Sequence, residues 1–275
     1  MKDCAILVTG GAGSIGSELV RQLAKDNRVY FFDTNETGFF DLYEELKQQG
    51  FDVYGRVGDV RNLDWADDVT ETIGYPNYIF HAAALKHVTP SAWSPMEYVK
   101  TNIEGTSNVI KFAGSISKLI NISTDKVIHA QNIMGATKKV AELMIRDAGH
   151  TSVRFGNVLG SRGSVIPIWQ RQLEQNRPLT VTDERAKRYF MTIEEACALV
   201  ISAAEVDAPG GVLILEMGEQ KNILQLAKEI LGKANKPSHP INMIGLRPGE
   251  TLYESLMTDE EQERAVRLED FWLIK

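Results

Sequence analysis

Thr124, Asp125 and Lys126 arrive together within NISTDKVIHAQNIMGATKKVAE, residues 121–142, where an apolar run around Ile120 and Ile122 opens into a loop. Met134, Lys138 and Glu142 then recur at i, i+4, i+8, which places them on one face of a helix. A hydroxyl, a carboxylate and two ammonium groups therefore converge near the C-terminal end of a strand. In open α/β sheets ligands bind outside those strand ends. An adjacent Asp and Lys suit acid–base work, because burial and mutual charge can tune both toward neutrality. The bland alternative is a solvated loop pair.

These residues need a scaffold and a cofactor, and the preceding chain has the pattern of both. Cys4–Thr9 is a continuous apolar run ending in TGGAGSIGSELV, with Gly10, Gly13 and Gly16 at dinucleotide-binding spacing and Ser14 and Ile15 at the start of a helical pattern. The first glycine permits a tight turn, the second a close approach of backbone to pyrophosphate, and the third helix-to-strand packing. The helix N-terminus offers N–H groups to the phosphates. Arg28–Phe32 is a second strand closed by Asp33, 17 positions after Gly16, near the ~20 expected of a carboxylate that takes ribose hydroxyls. Such an acid repels a 2′-phosphate and favours NAD over NADP, unless Arg56 or Arg61 reaches that phosphate. Its alternative is a helix cap.

Phe51–Val57 reads as a third strand followed by Asp59 and Val60, at the adenine or as a cap; Tyr78–Ala84 is a fourth, whose Ala82 and Ala83 allow close approach to a cofactor. A long helix over Pro95–Phe112, strands over Ser117–Ser123 and Thr151–Phe155, and a helix over Met134–Asp147 continue the alternation. Ile193–Ala204, Val212–Met217 and Ile223–Leu231 read as helix, strand, helix. The expectation is an α/β, doubly wound parallel sheet of Rossmann type. It comprises residues 1–157 plus about 192–232, with a smaller substrate-binding lobe from about 158–191 plus 233–275.

Composition narrows the classes. With 43% hydrophobic and 24% charged residues, the 275-residue chain can bury a large core, and its formal charge of −7 disfavours nucleic acid or an anionic membrane as partner. No apolar run approaches the ~18 residues of a membrane span, and a soluble, cytoplasmic protein is expected. Cys4 and Cys197 lack metal or disulfide spacing and read as buried thiols. His81 and His87 show no ligand pattern, so packed histidines and no metal are expected.

The segments VTGGAGSIGSEL, HAAALKHV, TNIEGTSNV, ISTDK, MGATKKVAE, VRFGNVLGSRGSVIP, TVTDE, RYFMTIEEA and GLRPGETLYE resemble, nearly end to end, an extended short-chain dehydrogenase/reductase. Within that superfamily they resemble the UDP-N-acetylglucosamine 4,6-dehydratases of polysaccharide biosynthesis. The resemblance implies a UDP-sugar substrate and a nicotinamide cofactor, NAD or NADP, reduced and reoxidised in each turnover. Oxidation at carbon 4 makes the carbon 5 proton removable, water leaves across carbons 5 and 6, and the hydrogen returns to carbon 6. By resemblance Lys126 takes the carbon 5 proton and Asp125 protonates the leaving hydroxyl. Lys138 holds the nicotinamide ribose, and Thr124 bonds the carbon 4 oxygen. Arg188 and Arg247 meet the diphosphate, Asn157 contacts it, Glu250 accepts from a ribose hydroxyl, Thr180 and Thr182 run beside the uracil, and Lys86 faces the sugar. The superfamily's helices at 95–112 and 134–147 commonly form a dimer interface, which implies a homo-oligomer.

One position departs from the superfamily. Its catalytic Tyr-x-x-x-Lys is Met134-x-x-x-Lys138 here. A thioether exchanges no proton, so Met134 can only pack against sugar or nicotinamide, and the base for the first step falls to Asp125. Another sugar epimerase or reductase, and a non-catalytic dinucleotide sensor, are the competing readings.

Overall fold

The computed structural model describes residues 1–247 and 249–275. Six parallel strands, β1 (Ala5–Thr9), β2 (Arg28–Asp33), β3 (Val53–Val57), β4 (Tyr78–His81), β5 (Lys118–Ile122) and β6 (Thr151–Arg154), lie in the order β3-β2-β1-β4-β5-β6. The sheet continues through Val212–Leu215, parallel to β6, and ends with Phe271–Ile274 and Val266–Arg267, both antiparallel. The order reverses between β1 and β4, the crevice where doubly wound sheets take dinucleotides. Helices α1 (Ser14–Leu23), α2 (Glu36–Gln48) and α3 (Ala66–Ile73) make the first crossovers. Apolar runs such as Ile6–Val8 and Val29–Phe32 are almost wholly buried, because both sheet faces are covered.

The expected strands and helices are present, with ends shifted by one to three residues. Three arrangements depart from the sequence reading. Helix Ile223–Lys233, assigned to the Rossmann body, directs Ile223, Leu226, Ala227 and Leu231 into a separate core with Trp169, Leu179 and Val181. The tail 266–274, assigned to the lobe, instead supplies the sheet's antiparallel edge. The helix over 95–113 is not uniform: Lys100–Glu104 is a π-helical turn. It places buried Asn102 where the side chain accepts from Leu85 N at 2.8 Å and donates to Leu85 O and Thr137 Oγ1, both at 3.0 Å. The extra residue of a π-turn thus locks the loop after β4 to helix Ile133–Asp147. Cys197 is fully buried, whereas Cys4 is only partly so. No helix among the described residues is long and apolar enough to cross a membrane.

Candidate active site

The glycine-rich turn has conformational reasons for its sequence. Gly10 has φ +70°, and a Cβ there would sit 2.6 Å from the backbone of Ala83. A Cβ on Gly16 would lie 2.0 Å from the Gly10 carbonyl oxygen, so only glycine lets α1 come down on the turn. α1 has no side-chain cap, which leaves its first N–H groups for an anion. Asp33 accepts from Ala12 N at 3.0 Å and from Asn35 N at 2.9 Å, fixing the turn with the carboxylate expected to take ribose hydroxyls. A cavity of about 360 Å³ is lined by Gly10, Gly13, Asp33, Asp59, Val60, Ala82, Ala83 and Arg162. Ser14, Ile15 and Gly16 lie beside it at the start of α1, and Ser14 Oγ accepts from Arg162 N at 3.0 Å. This cradle fits a dinucleotide. Both arginines considered for a 2′-phosphate are held by protein acids. Arg61 bonds Asp59 and Glu97, each at 2.7 Å, and Arg56 bonds Asp64.

A second cavity, about 390 Å³, opens beyond the ends of β5 and β6 and is walled by both lobes. Thr124 caps the short 3-10 turn Asp125–Val127, and Asp125 N bonds Phe155 O at 3.0 Å, so β6 aims the acid. Asp125 is buried at 3% exposure. Its Oδ1 accepts from Thr124 Oγ1 and from Lys126 Nζ, both at 2.9 Å, while Oδ2 is buried with no partner. Lys126 Nζ also lies 3.3 Å from Asn157 Oδ1 and 3.3 Å from Glu254 Oε1. The expected tuning of Asp125 and Lys126 toward neutrality is not what the geometry produces. Burial pushes Asp125 up, but Lys126 together with hydrogen bonding to Glu254 and Thr124 outweighs it and holds the carboxyl below its usual range. Burial likewise opposes the Lys126 charge, yet Asp125 and Glu254 raise that ammonium above its ordinary value. Counter-ions 2.9 Å apart stabilise each other's charged forms.

Glu254 is the residue the sequence reading passed over, although it ends the quoted segment GLRPGETLYE. Its Oε1 sits 3.2 Å from Arg188 Nε, and its Oε2 accepts from Asn157 Nδ2 at 3.2 Å. Burial, and the nearby negative charge of Asp125, push its carboxyl up to about 7.

The other expected residues divide. Lys86, Asn157, Thr180, Thr182, Arg188, Arg247 and Glu250 line the cavity. The cavity walls, then the like charges of Lys126 and Arg162, push the Lys86 ammonium down. Arg188 differs from the open diphosphate fork that was expected. Its guanidinium donates to Lys187 O, Leu252 O, Glu250 Oε1 and Thr251 O and pairs with Glu254, so its N–H groups are committed to protein, all but one of these contacts to the wrapping segment 250–254. Thr180 lies on the strand Leu179–Val181, where Gln172 and Trp169 occupy its main-chain N–H and C=O. Glu250 accepts from Thr182 Oγ1 at 3.0 Å and from Arg247 N at 3.1 Å, and Arg247 is exposed at the rim. Met134 is 2% exposed and lines neither cavity. Lys138 Nζ donates to Ile122 O behind the site, and burial pushes its ammonium down to about 8. His81 lies between Thr9 Oγ1 at 2.7 Å and Thr106 Oγ1 at 3.0 Å; burial, then the Lys138 charge, push it down to about 3, a neutral packed histidine.

A further buried cluster supports the site. Arg154 of β6, fully buried, bonds Glu142 of helix Ile133–Asp147 and reaches Glu261 at 2.8 and 3.0 Å and Leu256 O at 2.9 Å. Ser123 Oγ donates to Glu142 at 2.7 Å. An arginine inside the apolar run TSVRF signals a buried counter-charge, but the sequence does not say which.

Known proteins are similar to this chain in sequence and fold. The capsular polysaccharide biosynthesis protein CapD of Staphylococcus aureus is 41% identical over 93% of this chain, which spans 45% of that protein's length. A UDP-glucose 4-epimerase of Rickettsia bellii is 34% identical over 99% of this chain and 83% of its own. The X-ray structure of Pen from Bacillus thuringiensis is 38% identical, with a TM-score of 0.92 over 99% of this chain and 89% of that one. The fold is the Rossmann-type fold of extended short-chain dehydrogenases/reductases. The pattern described as polysaccharide biosynthesis protein matches residues 6–275, and the chain belongs to that family.

Proposed function

We propose that the protein is a nucleotide-sugar 4,6-dehydratase acting on UDP-N-acetylglucosamine. The observation that carries this reading is the ion pair of buried Asp125 and half-buried Lys126, facing a cavity rimmed by Arg247 and Glu250, next to a dinucleotide cradle. An epimerase or a simple dehydrogenase exchanges one hydroxyl proton. This site offers more proton-carrying groups than that chemistry uses.

Gly10, Gly13, Asp33, Ala82 and Ala83 would hold the nicotinamide dinucleotide. Once bound, it supplies reversible oxidation at carbon 4 and reduction at carbon 6. Asp125, ionised at rest, receives the carbon 4 hydroxyl proton and, now a carboxylic acid, delivers it to the departing carbon 6 hydroxyl. Lys126, as the free amine, takes the carbon 5 proton made acidic by the neighbouring ketone and later gives a proton back. Thr124, which donates to Asp125, orients that carboxylate. Met134 fills space. Arg247 is the exposed arginine left for the diphosphate, while Arg188 shapes the wall. NAD is the favoured cofactor, since Asp33 repels a 2′-phosphate while Arg56 and Arg61 are already paired. Exposed Met96, Val140 and Leu143 on the helices at 95–99 and 133–147 support a dimer through those faces.

The name of the R. bellii relative favours a second reading, a 4-epimerase. Incubating purified protein with UDP-N-acetylglucosamine and no added cofactor separates them. A UDP-4-keto-6-deoxy product supports the dehydratase; a carbon 4 epimer, with no deoxy product, refutes it.

A further inference from the structure

Lys126 meets a difficulty in its own surroundings. To receive the carbon 5 proton it must first be a free amine, yet Asp125 and Glu254 flank its ammonium and stabilise the charge. Asp125 cannot relieve it, because in the dehydratase cycle Asp125 is carrying the hydroxyl proton at that moment. A second acceptor has to lie within reach of Nζ. Glu254 Oε1 lies 3.3 Å from it, and the Glu254 side chain is 11% exposed.

We infer that Glu254 is the proton partner of Lys126, taking the ammonium proton before carbon 5 is deprotonated and restoring it afterwards. The inference rests on the dehydratase reading. In this step the N–H bond of Lys126 breaks, an O–H bond forms on Glu254, and one ion pair becomes two neutral groups. Lys126 then takes the carbon 5 proton, returns a proton to carbon 5 and recovers its own from Glu254, so none is gained or lost over the cycle. Glu254 is a positioning and proton-storing residue and does not itself touch the sugar.

The surroundings of Glu254 fit a group that must hold still and change charge. Its main-chain oxygen accepts from Gln220 Nε2 at 2.8 Å, and its side chain is set by Asn157 Nδ2 and Arg188 Nε, both at 3.2 Å. The groups bearing on it are Lys126, Arg188 and Asp125. The two cations favour its carboxylate, while burial and Asp125 favour its acid. The acid form gains further once Lys126 has lost its charge. The carboxyl pushed up to about 7 agrees with that balance, because a proton store has to exchange near the working pH. Arg188, whose every donor faces protein, thereby acquires a reason to be there: its charge favours the Glu254 carboxylate and keeps Glu254 from holding the proton so tightly that it never returns to Lys126.

Two measurements test this, one independent of turnover. Infrared difference spectra of the purified protein, titrated with acid and base, should show a carboxylic acid band appearing with a midpoint near neutral pH. The band should vanish in Glu254→Gln and persist in Asp125→Asn with its midpoint moved to lower pH, since Asp125 no longer favours the acid form. In the second, Glu254→Gln should lower kcat by about 100-fold with KM nearly unchanged, since proton-transfer groups contribute ~10²–10⁴-fold. Glu254→Asp should recover part of that loss, with the acidic limb of the pH–rate profile displaced. A band that survives in Glu254→Gln, or turnover within about twofold of the parent across the pH range, overturns the inference. If the parent forms no deoxy sugar, the dehydratase reading falls and the infrared result alone decides whether Glu254 stores a proton beside Lys126.

Discussion

Replacing Arg154 with methionine should unfold the frame of the site before it touches the chemistry. Arg154 has no exposed surface, and its guanidinium serves two carboxylates, Glu142 and Glu261, and the Leu256 carbonyl. Methionine keeps much of the bulk but leaves two acids facing each other in the interior, with Lys139 as a partly exposed counter-charge 3.3 and 3.8 Å away. Breaking a buried pair by removing one partner costs about 3–5 kcal/mol. Lys139 softens this, so the lower part of that range, about 3–4 kcal/mol, is expected, a fall in melting temperature of about 6–8 °C at ~2 °C per kcal/mol for a chain of this size. The pH dependence has a defined sign. Burial alone would raise Glu261, but Arg154 holds it below its usual range, so the pairing stabilises above the ordinary carboxyl pKa and is lost as pH falls through the folded value. The deficit of Arg154→Met should therefore be largest at neutral pH and shrink toward pH ~4, where carboxyls protonate. Thermal or urea denaturation of both proteins across that range measures it. A deficit under ~1 kcal/mol at neutral pH, or one that grows on acidification, would refute the account of the cluster.

Asp125→Asn should lose about 10²–10⁴-fold in turnover while nucleotide binding, followed calorimetrically, persists. Met134→Leu should keep most activity, since a near-isosteric apolar swap costs under ~1.5 kcal/mol; a dead leucine variant and an active asparagine variant would reverse the roles. Gly16→Ala should abolish cofactor retention, because the new Cβ would be 2.0 Å from the Gly10 carbonyl; mass spectrometry of cofactor released from parent and variant reads this and, in the parent, should show NAD. Substrate deuterated at carbon 4 should give product labelled on its new methyl group, and unlabelled substrate in heavy water should gain deuterium at carbon 5. Label back at carbon 4 would mark an epimerase.

Local rules carried much of this protein in its sequence. The βαβ alternation and the glycine turn were legible because each depends on neighbours a few residues away: a buried parallel strand must be apolar, and a turn with φ +70° needs glycine. The Asp125–Lys126 pair was legible for the same reason, being adjacent in the chain. What the pair does to its own protons was not. Its electrostatics depend on Glu254, more than a hundred residues later, brought to 3.3 Å by a segment that also consumes Arg188. The same limit explains the other differences. Arg188 reads as a free phosphate clamp until the chain at 250–254 wraps it, and the partner of Arg154 is named only once helix and tail close around β6. The tail's place at the sheet edge and the allegiance of helix Ile223–Lys233 were likewise decided by which apolar face finds a neighbour in space. Sequence spacing determines which groups share an element. Charge state and availability are properties of the desolvated neighbourhood, and that exists only in the folded chain.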